Sequence, residues 1–192
     1  MDAKIIVKGT IVLIAATCVA CGSGSQSSAP VTDAYISSTA TCPGAPDYSA
    51  GASCNNLVND AASVASTAGS GDPPTFTGGT IKDGVYHATK AEAFGTTTGT
   101  GRRFTLVVLE GGTKFYYAGD ILDAQGAVAT TMVAIASAST SGNQLTQTTV
   151  CMTGSAQIPT TESYTATGTE LILSATQGSV VAVTTYARAG CP

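Results

Sequence analysis

The chain has 192 residues and a formal net charge of -4, a length that accommodates one domain of ordinary size plus extensions. Charged residues supply only 10% against a usual share of about 25%, and basic residues adjoin only at Arg102 and Arg103, which excludes a broad basic surface for nucleic-acid phosphates. Hydrophobic residues reach 43% while aromatics are 6% and Trp is absent, so the apolar mass is mainly Ala and Val; with Thr, Ser and Gly as the main polar residues, strands are favoured over long helices.

The first segment reads as a delivery signal. Lys4 and Lys8 flank a short apolar opening that continues through Ile11 to Ala16. A bilayer-spanning helix needs about 20 apolar residues, whereas a basic start, a short apolar run and small residues before a cleavage point describe a removable signal peptide over residues 1–20. Val19, Ala20 and Cys21 resemble a bacterial lipobox, although Cys18 stands where that pattern usually has Leu. The resemblance implies cleavage before Cys21 and lipidation of its thiol. It also implies sorting to the outer membrane in a diderm host, since Gly22 rather than Asp follows the cysteine; plain secretion is the alternative. Gly22 to Pro30 is Gly/Ser-rich, the composition of a flexible tether.

Residues 21–77 thus read as lipidated cysteine, tether and a loop carrying Cys42 and Cys54. Export makes disulfides the default for Cys42, Cys54, Cys151 and Cys191. Four cysteines permit three pairings, of which Cys42 with Cys54 and Cys151 with Cys191 is the favoured one. Cys54 to Val64 suggests one or two helical turns, with Leu57, Val58, Ala61 and Ala62 on one side. Gly71, Pro73 and Pro74 then break the chain and set the boundary before a domain at residues 78–192.

That domain shows successive strand patterns divided by turn residues. Val85 to Lys90 is the first. Phe104 to Leu109 is almost continuously apolar, and Gly111-Gly112 signals a two-residue hairpin back into Phe115, Tyr116 and Tyr117. Asp123 to Gly126 turns the chain into Ala127 to Ala136, where Val128, Thr130, Met132 and Ala134 alternate with Ala129, Thr131, Val133 and Ile135. Ser141-Gly142-Asn143 leads into Gln144 to Met152. Ser163 to Thr167, Glu170 to Ala175 and Val180 to Arg188 complete the series. Eight strands joined by short connections predict an all-β, eight-stranded antiparallel up-and-down barrel, since closure removes open edges; a two-sheet β-sandwich is the alternative.

Gly84-Val85-Tyr86 at the start of the first strand and Arg188 at the end of the last resemble the lipocalin pattern, in which an aromatic closes the barrel base beneath a C-terminal arginine. Tyr86 replaces the usual Trp. No Thr-Asp-Tyr loop accompanies it. The resemblance covers Gly84 to Arg188 and implies a lipocalin-like barrel with room for an apolar ligand, for which Tyr86, Phe104, Phe115, Tyr117 and Met132 are the lining candidates.

No catalytic set emerges. His87 is the sole histidine, no Gly-x-Ser-x-Gly elbow accompanies it, and it reads as a solvent-facing strand residue. The spacing of Cys42, Cys54, Cys151 and Cys191 fits no metal pair, and neither Gly78-Gly79 nor Gly111-Gly112 opens a phosphate-binding helix. Neither metal nor cofactor is expected. The reading is a non-enzymatic, membrane-tethered envelope lipoprotein with a small hydrophobic ligand in its barrel. The alternative is a filled barrel whose loops, such as Gly95 to Gly101, meet another envelope protein.

Overall fold

A computed structural model describes residues 54–95, 100–155 and 157–189, all within one unit, Tyr35–Pro192. The leader, Cys21, the Gly/Ser tether, Cys42, Cys191 and most of the Gly95 to Gly101 loop lie outside the described residues. Among the described residues no helix is long and apolar enough to cross a membrane.

Among the described residues nine strands form one sheet: β1 (Val64–Ala68), β2 (Gly84–Phe94), β3 (Gly101–Leu109), β4 (Lys114–Leu122), β5 (Val128–Ser141), β6 (Gln144–Gly154), β7 (Thr161–Ala166), β8 (Glu170–Gln177) and β9 (Val180–Arg188). From β2 to β9 each strand pairs antiparallel with the next, and β2 pairs with β9, Tyr86 opposite Arg188 and Phe94 opposite Val181. That last pairing closes the cylinder and removes the free edges an open meander would present. It also rules out the sandwich.

The expected eight-stranded antiparallel barrel is nevertheless corrected to a nine-stranded, mixed one. β2 and β3 pair only from Gly84 to His87, and β1 occupies the gap above, parallel to β2 at Ser66–Ala68 and antiparallel to β3 at Val64 and Ala65. Its sequence, Val-Ala-Ser-Thr-Ala, has too little alternation to announce a strand. Long-range pairing creates it.

The helical turns expected from Cys54 are also absent. Residues 54–63 instead run as a strap over the outside of β3, β4 and β5, held by side-chain and backbone hydrogen bonds to the barrel. Asn55 Nδ2 donates to the Ala134 carbonyl at 2.9 Å. Asn59 Nδ2 donates to the Arg103 carbonyl at 3.0 Å and to Asp120 Oδ2 at 2.8 Å. The amides of Asp60 and Ala61 donate to Thr105 Oγ1 at 3.1 and 3.2 Å.

This strap explains the nearly unbroken apolar run in β3. Phe104, Leu106 and Val108 face the interior with Phe115, Tyr117, Met132 and Leu173, while Val107, Tyr116 and Ile135 face outward beneath Leu57. Strands covered on both faces lose the alternation of a half-wet sheet. A disulfide pins the start of the strap, joining Cys54 to Cys151 on β6. The pairings Cys42–Cys54 and Cys151–Cys191 are therefore both overturned: proximity in sequence favoured a local loop, but the strap carries Cys54 to the wall of the barrel.

One end of the cylinder is plugged. Ile81 is buried in the interior cluster, Tyr86 donates its hydroxyl to the Lys82 carbonyl at 2.6 Å, and Tyr164 donates to the Gly79 carbonyl at 2.9 Å. Arg188 donates from Nε and Nη2 to the Asp83 carbonyl at 3.0 and 2.6 Å. Its guanidinium packs where a side chain on Gly84 would sit. The β3–β4 connection spans Glu110 to Thr113 rather than two residues, with positive φ at Glu110, Gly111 and Gly112.

Candidate functional site

Among the described residues the opposite end is hollow. A cavity of ≈ 330 Å³ lies among the inward side chains of β3, β4, β5, β7, β8 and β9, with Ile158 and Pro159 of the β6–β7 loop in its wall. At about 30 Å³ per water molecule in the liquid, this is roughly ten water volumes, near the lower end of small-molecule pockets. Period-2 alternation puts the lining there: Arg102 and Phe104 on β3, Tyr117 and Ile121 on β4, Leu173 and Ala175 on β8, and Ala182, Thr184 and Tyr186 on β9.

Small residues shape this interior. Gly119 sits opposite Phe104 in the β3–β4 register, and the Phe104 ring lies directly against it, where a Cβ would collide with the ring. Ala175 and Ala182 face each other across β8 and β9 and leave the wall shallow near the open end.

A polar chain crosses this apolar interior. Tyr117 donates its hydroxyl to Gln147 Oε1 at 2.6 Å, and Gln147 Nε2 donates to Glu162 Oε2 at 2.6 Å. Gln147 and Glu162 are buried at 3% and 7% exposure, so each polar atom must find a partner or carry a desolvation cost. Among the described residues, Glu162 takes part in no ion pair. Burial pushes its carboxyl up to about 7, a rise that the hydrogen bond from Gln147 only partly offsets. Burial also raises Tyr117 and Tyr186, and the Glu162 charge pushes both the same way.

Arg102 supplies the second charge in the lining. Its Nη1 donates to Thr184 Oγ1 at 2.8 Å, and its Nε is buried without a hydrogen-bond partner among the described residues. The guanidinium acts on Tyr186, holding it below what burial and Glu162 alone would give. Desolvation and Gln147 are what act on Glu162, whereas Tyr186, in the same lining, feels both Glu162 and Arg102.

Of the residues singled out from sequence, Phe104, Tyr117 and Met132 line the cavity. Tyr86 and Phe115 are buried in the same interior cluster without lining it, Tyr86 being at the plugged end. Sequence reasoning missed Glu162, Gln147, Arg102 and Tyr186. A signal for Glu162 existed, since the alternation of β7 puts it on the side of Tyr164, an inward residue. Arg102, noted from sequence only as a basic neighbour of Arg103, is the inward residue two before Phe104.

His87 lies on the outer wall, its side chain 26% exposed, with Nε2 3.0 Å from Asp60 Oδ1 but not aligned for a hydrogen bond. Thr105 Oγ1 lies 2.9 Å from the same carboxylate oxygen. Both groups converge on Asp60 rather than running hydroxyl to imidazole to carboxylate, so the order that activates a hydroxyl nucleophile is not formed. No group of three or more potential metal ligands occurs among the described residues.

Comparison with protein-family models, curated proteins and solved structures finds no match to this chain. The closed nine-stranded barrel is therefore described by its own geometry.

Proposed function

We propose that this chain is a non-enzymatic cell-envelope lipoprotein, tethered through Cys21, whose barrel binds a small and mainly apolar ligand. The observation that carries the ligand reading is the cavity of ≈ 330 Å³ at the unplugged end. A barrel built only for rigidity gains by filling such a space, because unfilled volume forfeits dispersion contacts and costs stability. Ala175 and Ala182, both in the lining, stand where larger residues would close it.

Indole is a suitable neutral probe, because the chain contains no Trp to mask its fluorescence. Titration into the full chain is expected to show saturable binding with a rise in melting temperature. Ala182→Leu combined with Ala175→Leu, which fills the cavity, is expected to abolish both while the protein stays folded. Equal indole binding by the filled variant sinks the reading. The tether is tested separately: mass spectrometry of protein from its host is expected to find an acylated Cys21 at the mature N-terminus, and an unmodified terminus elsewhere removes that part.

A further inference from the structure

The cavity lining is not uniformly apolar, and its polarity has a direction. Tyr117 gives its proton to Gln147, and Gln147 gives an N–H to Glu162, so the chain of donors ends on a carboxyl whose Oε1 receives no hydrogen bond from the described residues. Glu162 is itself a lining residue. What the interior offers at that point is an acceptor with spare lone pairs in a medium where an unpaired charge is costly.

The rest of the lining suits a cation. Phe104, Tyr117 and Tyr186 line the same space, and aromatic faces attract an ammonium group through their quadrupoles, more strongly when water is excluded. A carboxylate among aromatic rings is complementary to a protonated amine on an apolar body. Arg102 is the one lining group whose charge opposes a cation, and its Nη1 is engaged by Thr184.

We propose that the barrel selects small primary amines, with the ammonium group on Glu162 Oε1 and the hydrocarbon body among the apolar lining. This rests on the ligand-binding reading above and adds the chemistry of the head group. Burial of Glu162 then has a role: the carboxyl, held up to about 7 when unpaired, ionises against the incoming cation. The amine occupies the cavity as the cation–carboxylate pair, which requires Glu162 to have lost its proton. The other polar groups facing this position are Gln147, which does not titrate, and Tyr117 and Tyr186, both raised above the ordinary tyrosine value. Arg102 is the other charged group in the lining.

The test compares n-hexylamine, n-hexanol and n-hexanoate, equal in body and different in head, by calorimetric titration of the full chain at pH 8. Hexylamine is expected to bind at least about ten-fold tighter than hexanol, and hexanoate weakest. Glu162→Gln is expected to level amine and alcohol while keeping hexanol affinity, which also shows that the variant is folded. In the unaltered protein, lowering the pH from 8 to 6 is expected to weaken hexylamine roughly ten-fold, as a carboxyl titrating near 7 takes up its proton, and to leave hexanol unchanged. Equal binding of amine and alcohol overturns the amine proposal but leaves the cavity reading standing. Preference for hexanoate overturns it in favour of Arg102. Absence of binding by all three removes the proposal together with the cavity reading.

Discussion

Glu162 sets a pH dependence of stability that can be worked from its surroundings. In the unfolded chain its carboxyl titrates near the ordinary 4.5, and in the barrel burial holds it up to about 7. The folded state therefore binds the proton more tightly. Its contribution is fully present below pH 4.5, declines as pH rises, and is lost once pH passes about 7. At about 1.4 kcal/mol per pH unit, the interval between those two values amounts to about 3 kcal/mol. Glu162→Gln removes the titration while keeping an oxygen that can accept from Gln147 Nε2. Urea unfolding of both proteins, followed by circular dichroism at fixed pH values from 4 to 9, isolates the effect as the difference between them. The gap is expected to move in favour of the variant by about 3 kcal/mol between pH 4 and 8, with unchanged denaturant slopes. Parallel stability curves, or a gap that moves toward the unaltered protein, would falsify the account of an unpaired buried carboxyl.

Three further outcomes follow from the wall and the strap. Replacing both Cys54 and Cys151 by Ser opens a connection across a sequence separation of 97, and the chain-entropy argument puts the loss at about 4–5 kcal/mol; calorimetry showing no change would mean the strap is held without it. Asp120→Asn keeps an accepting oxygen but removes the negative charge that Arg103 Nε and Nη2 meet at 2.9 and 2.6 Å. Because Arg103 is 36% exposed, solvent takes up much of its charge, and the expected cost is about 1–2 kcal/mol in urea unfolding rather than the full penalty of a buried orphan. Gly119→Val drives a side chain into the Phe104 ring, so a loss of about 1–3 kcal/mol is expected along with weaker indole binding; full retention of both would show that the ring moves freely.

Much of the strand order was legible because local chemistry and tertiary structure agree there. Val85, Phe104, Phe115, Met132, Leu145, Tyr164, Leu171 and Val183 all lie in strand-like stretches bounded by turn residues, and each is in one of the strands β2 to β9. Glycines at positions 126, 142 and 178 have positive φ, and the turns they mark lie between strands. β1 was not legible. Its residues carry no distinctive pattern, and its place is created by the separation of β2 from β3.

The candidate site was legible only as apolar bulk. Phe104, Tyr117 and Met132 stand out as large inward residues, but Glu162 and Arg102 look like ordinary surface charges until the barrel closes around them. The same limit applied to the cysteines, where short sequence separation favoured a local loop and the extended strap brought Cys54 to Cys151.

The amino-acid sequence by itself determined an all-β chain with its strand periods and main turns, because alternation and positive-φ glycines act over a few residues. Tertiary structure alone decided the ninth strand, the strap with its disulfide and the burial of Glu162, because each depends on groups far apart in the chain meeting once the cylinder closes.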